Sequence, residues 1–394
     1  MTARAELEAI FWAGVDACRP EQVLPAYLPE PPRGRTILLA LGKAAAGMAR
    51  AVERSWDGPL SGLAVVPHGS DGPLQRVALM TAAHPVPDET SVAAARRLLA
   101  SAEGAGPDDL VLVLLSGGAS SLACLPAPGL RLAEKQRIVA ALLRTGASIG
   151  EINCVRRHLS AFKGGRLGLA ARPARLVTLA ISDVAGDRPE DIGSGPTAAD
   201  PTTTEEARAI LRRLGIDEPR DGWSETARQM AGEYRIAARG RDALDAAAAK
   251  AKSLGYAPHA IEADGEAREA GTEHATMALR LGPGTALISG GELNVTVTGK
   301  GKGGPNQEYA LAAAMALAGR GGVSGLAADT DGIDGIGGAA GAFFDGGTIE
   351  RSAGDAGAAL AENDSGGFFA ALGDLFVTGP TGTNVSDLRI ILVR

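Results

Sequence analysis

DLVLVLLSGGAS (Asp109–Ser120) joins an unbroken apolar run to a short segment of serine and glycine. An apolar run without polar alternation predicts a strand that is buried on both faces of a sheet. Ser116, Gly117, Gly118 and Ser120 then stand where such a strand turns into a helix. The backbone N–H groups and hydroxyls of such a turn can hold a carboxylate or a phosphate, although an ordinary strand-to-helix turn has the same composition.

Apolar runs followed by polar turns recur on both sides of this stretch. RTILLAL (35–41) precedes Lys43, and RLVTLAI (175–181) precedes Asp183. Stretches with helical apolar spacing, such as residues 132–143, separate these runs. The alternation predicts an α/β fold with a mostly parallel, Rossmann-like sheet that has helices on both faces.

The pattern of strands and helices stops near the middle of the chain and then restarts. Residues 201–223 are charged and helical in pattern, whereas RIAAR after Glu233 begins a new series of strands. We therefore predict a large domain over residues 1–231 and a smaller α/β domain over residues 232–394. In the second domain, strands that end in turns are predicted in TALISGG, LNVTVTG, SGLAADTDG and DLFVTGP, and GIDGIGGAAGAFFDGG is predicted to be a loop.

The composition excludes several classes of protein. A net charge of −7 argues against a general nucleic-acid binder, which normally carries a basic patch. Three dispersed cysteines argue against a disulfide framework or a structural zinc site. No apolar run approaches the ~20 residues that span a bilayer, and the N-terminus lacks the apolar core of a signal peptide. We expect a cytoplasmic protein without nucleic-acid or membrane partners, and the choice between monomer and homodimer stays open.

Ligands of open α/β sheets bind beyond the carboxyl ends of the strands, which selects the first candidate residues. Lys43 is placed to contact a phosphate oxygen, although a surface lysine at a helix start has the same sequence position. Asp183 is placed to accept a hydroxyl proton or to hold Mg²⁺. Asp187 lies in the same loop and is a second candidate metal ligand.

A basic cluster lies in INCVRRHLSAFKGG and consists of Arg156, Arg157 and Lys163. An arginine can bind a carboxylate through two parallel hydrogen bonds, although most charge runs form a solvated helix face. Because two adjacent residues of a helix cannot face the same way, at most one of the two arginines faces a ligand. We select Arg156.

The glycine- and lysine-rich loop GKGKGG (Gly299–Gly304) has two interpretations. Its glycines and lysines can receive a phosphate ahead of a helix from about Asn306. It also fits the loose dinucleotide fingerprint, with Asp329 about 25 residues further on, although the alternating LNVTVT before it suits a half-exposed antiparallel strand. DTDGIDG (Asp329–Gly335) lacks the spacing of a calcium loop, and no stretch fits a P-loop.

Eight motifs, taken in order, resemble the two-domain glycerate 2-kinase family. Its second half is called the MOFRL domain, and some of its members are labelled hydroxypyruvate reductases. The resemblance runs from about Leu39 to the C-terminus. The motifs that carry it are LGKAAAGMA, TAAHPVPDE, LLSGGASSL, INCVRRHLSAFKGG, ISDVAGDRPEDIGSGPT, SGGELNVTVTGKGKGGPNQE, AADTDGIDG and VTGPTGTNVSDL.

The resemblance implies transfer of the γ-phosphoryl group of ATP, with Mg²⁺, to the 2-hydroxyl of D-glycerate. It also implies an active site in a cleft between the two domains. Lys43 matches a phosphate-facing lysine of the family, and Ser116–Ser120 and Arg156 match motifs at the substrate end of the cleft. The motifs of the second half match places of nucleotide and metal binding. The residues assigned on this basis are Gly290, Gly291, Glu292, Asn306 and Asp329 for the nucleotide and Glu308 for the metal.

Two positions depart from the family pattern. Some relatives carry Arg where this chain has Pro305, and some carry Asn where it has Ser386. If that arginine stabilises the transferring phosphoryl group, Lys300, Lys302 or Arg389 is left to replace it. Two rival functions also remain at this stage, namely an NAD(P)H-dependent hydroxypyruvate reductase and a catalytically inactive protein that binds hydroxy acids.

Overall fold

The computed structural model describes residues 1–70 and 72–394, and in this part of the chain it contains twelve strands and fifteen α-helices. The strands are β1 (Thr36–Leu41), β2 (Leu60–Pro67), β3 (Ala78–Ala82), β4 (Leu110–Leu115), β5 (Arg175–Ser182), β6 (Glu233–Arg239), β7 (Ala257–Glu262), β8 (Thr285–Gly291), β9 (Val323–Asp329), β10 (Gly341–Asp345), β11 (Leu375–Phe376) and β12 (Asp387–Val393).

The helices alternate with these strands over most of the chain. They are α1 (Ala3–Ala17), α2 (Pro20–Val23), α3 (Ala45–Ser55), α4 (Glu89–Glu103), α5 (Ala119–Leu122), α6 (Leu132–Arg144), α7 (Ile149–His158), α8 (Arg166–Ala170), α9 (Thr204–Arg213), α10 (Gly240–Ser253), α11 (Ala267–Arg280), α12 (Pro305–Leu317), α13 (Thr348–Arg351), α14 (Ala356–Ala361) and α15 (Ser365–Leu372). In the described residues, no helix has the length and apolar character that crossing a membrane requires.

The first sheet has six strands in the order β3-β2-β1-β4-β5-β6. β1 pairs in parallel with β2 and β4, and the pairs β2–β3 and β4–β5 are also parallel. Every residue of β1 and β4 is buried, as expected for central strands with helices on both faces. The prediction of an α/β fold with a mostly parallel sheet is confirmed. We call Val23–Ala237, which contains this sheet except the last two residues of β6, the parallel-sheet unit.

The second sheet has the order β11-β10-β9-β12-β8-β7 and is mixed. β12 runs antiparallel between β8 and β9, whereas β7 and β8 are parallel. All seven residues of β12 are buried, so the last strand of the chain forms the centre of this sheet. We call the segments that build this part, Met1–Gln22 and Ala238–Arg394, the mixed-sheet unit.

The first helix belongs to the mixed-sheet unit and not to the part of the chain that follows it directly. Leu7, Ile10 and Phe11 of α1 are buried in one apolar cluster with Leu244 of α10 and Ile390 of β12. This burial removes an apolar helix face from water, which is the main favourable term in such packing. The predicted domain of residues 1–231 therefore differs from the observed division at its first 22 residues and by a few residues near position 237.

Two predicted features of the second half are wrong. LNVTVTG forms no strand: its backbone N–H groups at Thr298 and Gly299 donate to the Asn363 side-chain oxygen at 2.8 and 2.9 Å. A side chain of a neighbouring loop thus takes the place of a partner strand. The segment GAFFD, predicted as part of a glycine-rich loop, forms β10 instead, because Phe343 and Phe344 are buried against the core.

Candidate active site

The turns after β1 and β4 are joined by hydrogen bonds. The backbone N–H of Lys43 donates to the Gly117 carbonyl at 2.8 Å, and that of Ala44 donates to the Ser116 hydroxyl at 3.0 Å. A Cβ added to Gly42, whose φ is +133°, would lie 2.2 Å from the Ser116 hydroxyl oxygen, so no larger residue fits there. The structure thus brings two of the predicted site segments together, as parallel neighbouring strands require.

Gly118 marks the point where three of these turns meet. Its φ is +82°, and an added Cβ would lie 3.1 Å from His84 Nε2 and 3.3 Å from Lys43 Cγ. His84 comes two residues after β3, in the way that Lys43 comes two residues after β1. Reasoning from single residues missed His84, although its position after a strand and its place in the motif TAAHPVPDE were signals for it.

A chain of polar side chains links the SGGAS turn (Ser116–Ser120) to α7. The hydroxyls of Ser120 and Ser194 are 2.9 Å apart, and the Ser194 hydroxyl donates to Asn153 Oδ1 at 3.1 Å. Asn153 in turn donates to Asp191 at 3.1 Å. Ser194 adopts a left-handed φ of +60° between two glycines, a conformation that costs energy for a non-glycine residue and is held here by its buried hydrogen bonds.

The two adjacent arginines of α7 have different surroundings. Arg157 is buried and forms ion pairs with Asp200 at 2.8 Å and Asp191 at 3.2 Å. Burial alone would raise the pKa of Asp200, but the Arg157 guanidinium and donors from Thr202 hold that pKa below its ordinary value. Arg156 is only partly buried, and in the described part of the chain its guanidinium has no hydrogen bond or ion pair. Arg156 therefore retains the capacity to bind an anion.

Two lysines are buried beneath these segments. Lys163, 1% exposed, donates through Nζ to the carbonyls of Ser120 at 2.7 Å and Ala123 at 3.0 Å. Lys135 of α6, 3% exposed, donates to the carbonyls of Leu159 at 2.7 Å and Arg156 at 3.3 Å. Sequence reasoning missed Lys135, because a lysine within a helix is normally exposed.

Asp183 and Asp187 both lie in the loop that follows β5. Asp183 comes directly after Ser182, the last residue of the strand, and Asp187 has a left-handed φ of +53° in the turn that follows. Both residues take part in polar or electrostatic interactions. Among the described residues, no three His, Cys, Asp or Glu side chains are grouped as a metal cage. The metal role of Asp187 stays a prediction.

In the mixed-sheet unit, a buried carboxylate caps the helix that follows the GKGKGG loop. Asp334 accepts hydrogen bonds from the backbone N–H groups of Asn306 at 3.0 Å and Gln307 at 2.8 Å, and from both side-chain amides. Pro305 stands at the first position of α12, where its missing N–H costs nothing. Burial raises the pKa of Asp334 to about 7, against the effect of these donors.

A second buried acid lies beside this cap. Asp387 accepts from the Asn306 amide at 2.7 Å and pairs with Arg389. Arg389 also donates to the Gly291 carbonyl at 3.0 Å, and its guanidinium lies 5.5 Å from the centre of the Tyr309 ring. Of the three residues proposed to replace the family arginine at Pro305, Arg389 is fully buried, whereas Lys300 and Lys302 are exposed.

The remaining candidates of this unit lie at strand ends. Gly290 and Gly291 end β8, Glu292 follows them, and Asp329 ends β9. The Asp329 carboxylate accepts from the backbone N–H of Asp331 at 2.9 Å and so closes the DTDG turn. Asn306, the last of them, is held between the two buried acids, and all five nucleotide assignments stay predictions.

The carboxylate of Glu308 is engaged by protein groups. It pairs with Arg268 at 2.7 Å and accepts from the Asn363 amide at 3.0 Å, and it is 2% exposed. These bonds involve both carboxylate oxygens. Its predicted role as a metal ligand therefore gains no support from its contacts.

Known proteins are similar to this chain over its whole length. One family model, a domain of unknown function (DUF4147), matches residues 6–225, and the MOFRL family matches residues 285–387. A putative hydroxypyruvate reductase of Agrobacterium vitis is 46% identical over 100% of this chain and 95% of that protein. The D-glycerate 2-kinase of Thermotoga maritima is 41% identical over 96% of this chain and 95% of that protein. The crystal structure of a glycerate kinase from Thermotoga maritima has a TM-score of 0.88 at 39% identity and covers 100% of both chains.

Proposed function

We propose that this chain, which belongs to the two-domain glycerate 2-kinase family, transfers the γ-phosphoryl group of ATP to the 2-hydroxyl of D-glycerate and forms 2-phosphoglycerate. The family resemblance found in the sequence is confirmed by both family models and by kinases that match over nearly the full chain. The observation that carries the acceptor site is Arg156, a partly buried guanidinium without a partner among the described residues. An arginine in such surroundings is suited to a carboxylate ligand.

The acceptor binds in the parallel-sheet unit through its carboxylate. Arg156 offers parallel N–H donors, and the N–H groups of the SGGAS turn add further donors for the same charge. Ser120 is fixed by Ser194, and the turn is fixed to Lys43 by backbone hydrogen bonds. The site is thus ordered before the substrate binds, which reduces the entropic cost of binding.

Lys43 acts on the phosphoryl group during transfer. Phosphoryl transfer needs positioning and positive charge on the developing anion more than covalent help. The Lys43 ammonium supplies one such charge, and the neighbouring His84 ring shapes the space above Gly118. Asp183, at the end of β5, orients the 2-hydroxyl and accepts its proton.

The oxygen donors of this loop suit Mg²⁺, which binds carboxylates and usually completes its shell with substrate phosphates and water. Asp187 supplies a carboxylate in this loop and is the residue that would hold the ion, while Asp183 acts on the 2-hydroxyl. When bound, Mg²⁺ would add positive charge beside the phosphoryl oxygens. Glu308 is left out of this assignment because Arg268 and Asn363 occupy its carboxylate.

ATP binds in the mixed-sheet unit, at the strand ends and the helix start described above. Gly290 and Gly291 allow close approach of a phosphate to the backbone, while Glu292 and Asp329 offer acceptors for ribose or for a hydrated metal ion. Asn306 lies in the first turn of α12 and is placed to contact the nucleotide through its side chain, because the first backbone N–H groups of this helix already donate to Asp334. Asp334 and Asp387 hold Asn306 in position for this role.

The local structure that an NAD(P)H-dependent reductase would require is not found before the GKGKGG loop. A dinucleotide fingerprint needs a strand directly before its first glycine, and residues 295–298, which precede Gly299, form none. The test is a coupled assay for ADP release with ATP, Mg²⁺ and D-glycerate, run beside NADH and NADPH oxidation with hydroxypyruvate. We expect ADP release that depends on D-glycerate. Oxidation of either dinucleotide without ADP release would overturn the kinase proposal.

A further inference from the structure

Three cations of the parallel-sheet unit lie close together without an acid beside them. Lys163 and Lys135 are buried, and neither forms an ion pair with any described residue. Burial is the largest cause that lowers the pKa of each lysine, and the nearby Arg156, the third member of the group, lowers both further. Buried charges in proteins are normally paired. These three cations therefore need an anionic ligand as their counter-charge.

The hydrogen bonds of the two lysines tie them to the acceptor site. Lys163 binds the carbonyl of Ser120, which belongs to the SGGAS turn, and Lys135 binds the carbonyl of Arg156 itself. Each ammonium also binds a second carbonyl further along the same segment, at Ala123 and at Leu159. The lysines therefore fix the backbone of both segments that are proposed to hold the acceptor carboxylate.

We propose that Lys163 and Lys135 are positioning residues of the acceptor site and that their pocket takes up a proton when the acid group of the acceptor binds. The inference rests on the proposed function, because it assumes that the carboxylate binds at Arg156. An anion there completes the cation group and favours the charged form of the nearest lysine. A neutral lysine still has two N–H donors for its two carbonyls, so loss of the proton does not require the segments to move.

The groups that face these lysines come from several elements. Cys124 faces both of them, Lys135 and Arg156 face Lys163 from α6 and α7, and Arg166 of α8 faces Lys135. Burial lowers the pKa of Lys163 to about 7 and that of Lys135 to about 8; Cys124 opposes this effect, and the neighbouring cations add a smaller lowering. Near neutral pH the pocket is therefore only partly protonated without a ligand, and a bound anion raises that fraction.

The experiment is calorimetric titration of the full-length enzyme with D-glycerate, in the presence of Mg²⁺ and a non-hydrolysable ATP analogue. Two buffers with different ionisation enthalpies at pH 7.5 report the number of protons taken up. The carboxyl group of glycerate has a pKa of about 3.5 and is already ionised, so any proton taken up goes to the protein. We expect uptake of about half a proton, and a Kd for glycerate that rises about fivefold to tenfold between pH 7 and 8.5.

Lys163→Met keeps the length of the side chain and removes its titration, and it should lose most of the proton uptake. Lys252→Met, at an exposed lysine of α10, is the matched control and should keep the wild-type value. If wild-type enzyme binds glycerate without proton uptake, or Lys163→Met binds it with full uptake, the inference is wrong while the acceptor site stands. If glycerate does not bind at all, the proposed function itself fails. The wild-type titration decides even if the variant does not fold.

Discussion

Two groups of buried charge, one in each unit, are satisfied in opposite ways. In the parallel-sheet unit, Lys135 and Lys163 are surrounded by backbone carbonyls and have no acid partner among the described residues. In the mixed-sheet unit, Asp334 and Asp387 are surrounded by donors, namely the first N–H groups of α12, two side-chain amides and Arg389. The lysines of the parallel-sheet unit thus have no counter-charge from the described part of the protein and can pair with an anionic ligand. The acids of the mixed-sheet unit are already satisfied by protein donors.

This difference distinguishes residues that can bind a ligand from residues that stabilise the fold. A carboxylate whose hydrogen-bonding capacity is filled by protein donors stabilises the fold around it but has little left for a ligand. A cation without a counter-charge adds little to stability and attracts an anion strongly once water is excluded. The comparison therefore predicts that changes among the unpaired cations affect substrate kinetics, and that changes among the paired groups affect stability.

The adjacent arginines of α7 give the sharpest test of this comparison. Arg157→Met should lower the free energy of unfolding by about 3–5 kcal/mol, because Asp191 and Asp200 are left buried without their cation. Arg156→Met should leave stability unchanged and raise the KM for D-glycerate about 10- to 100-fold, the effect of losing roughly 1.5–3 kcal/mol of charged hydrogen bonds. Urea unfolding and steady-state kinetics of both variants measure this. Equal stability losses in the two variants would contradict the comparison.

Lys43→Ala should lower kcat about 100-fold, a loss of about 2.7 kcal/mol in transition-state stabilisation. The KM for D-glycerate should change little, because the acceptor carboxylate is held by Arg156 and the SGGAS turn. Lys252→Ala, at an exposed lysine, is the control and should match wild-type turnover. A kcat for Lys43→Ala within about twofold of wild type would remove Lys43 from the mechanism.

Asp334→Ala tests the paired side of the comparison. It leaves the buried N–H groups of Asn306 and Gln307 without an acceptor, and we expect a loss of about 2 kcal/mol in unfolding free energy. Asp355→Ala removes an exposed helix cap, at which the N–H of Ala358 donates to Asp355 at 3.0 Å, and should cost about 1 kcal/mol or less. Chemical denaturation of the two variants should rank them in this order. The reverse ranking would show that the buried cap is not what holds α12.

The smallest effect concerns pH. Burial, with a smaller contribution from Arg389, lowers the pKa of His274 to about 4, and Nδ1 lies 3.0 Å from the Tyr309 hydroxyl. Between pH 6.5 and 4 the unfolded chain binds a proton at His274 that the folded protein does not, so the contribution of His274 to stability falls as pH falls. From pH 6.5 to 5 the loss is about 1.5 kcal/mol. His274→Asn should remove this loss, whereas His259→Asn, at an exposed histidine, should keep it.

Much of the parallel-sheet unit could be predicted from the sequence. Strands such as β4 are continuous apolar runs that end in glycine, so both the strand and the turn after it are marked by local residue types. Lys43 and Asp183 were selected by their position after a strand, and Lys43 lies beside the SGGAS turn because parallel neighbours place their carboxyl ends together. Helix geometry indicated that at most one of Arg156 and Arg157 faces a ligand; Arg157 is paired with two buried acids, and the selection of Arg156 stays a prediction.

Other features depend on contacts that the sequence does not display. β12 (DLRIILV) is a buried central strand although it contains two charged residues, Asp387 and Arg389. The two pair with each other inside the sheet, which the sequence alone does not show. The sequence predicts an exposed position for Lys135 on its helix. Its burial depends on the hydrogen bond that its ammonium donates to the Leu159 carbonyl at the end of α7. The position of α1 in the mixed-sheet unit depends on packing between residues more than 200 positions apart, such as Phe11 and Ile390.

The most direct test of the account is the position of the phosphoryl group in the product. Enzyme, ATP, Mg²⁺ and D-glycerate are incubated, and the product is identified by phosphorus NMR against both phosphoglycerate standards. If Arg156 and the SGGAS turn hold the carboxylate and Asp183 orients the neighbouring hydroxyl, the spectrum shows 2-phosphoglycerate. A spectrum of 3-phosphoglycerate, or none above the control without enzyme, would contradict the account.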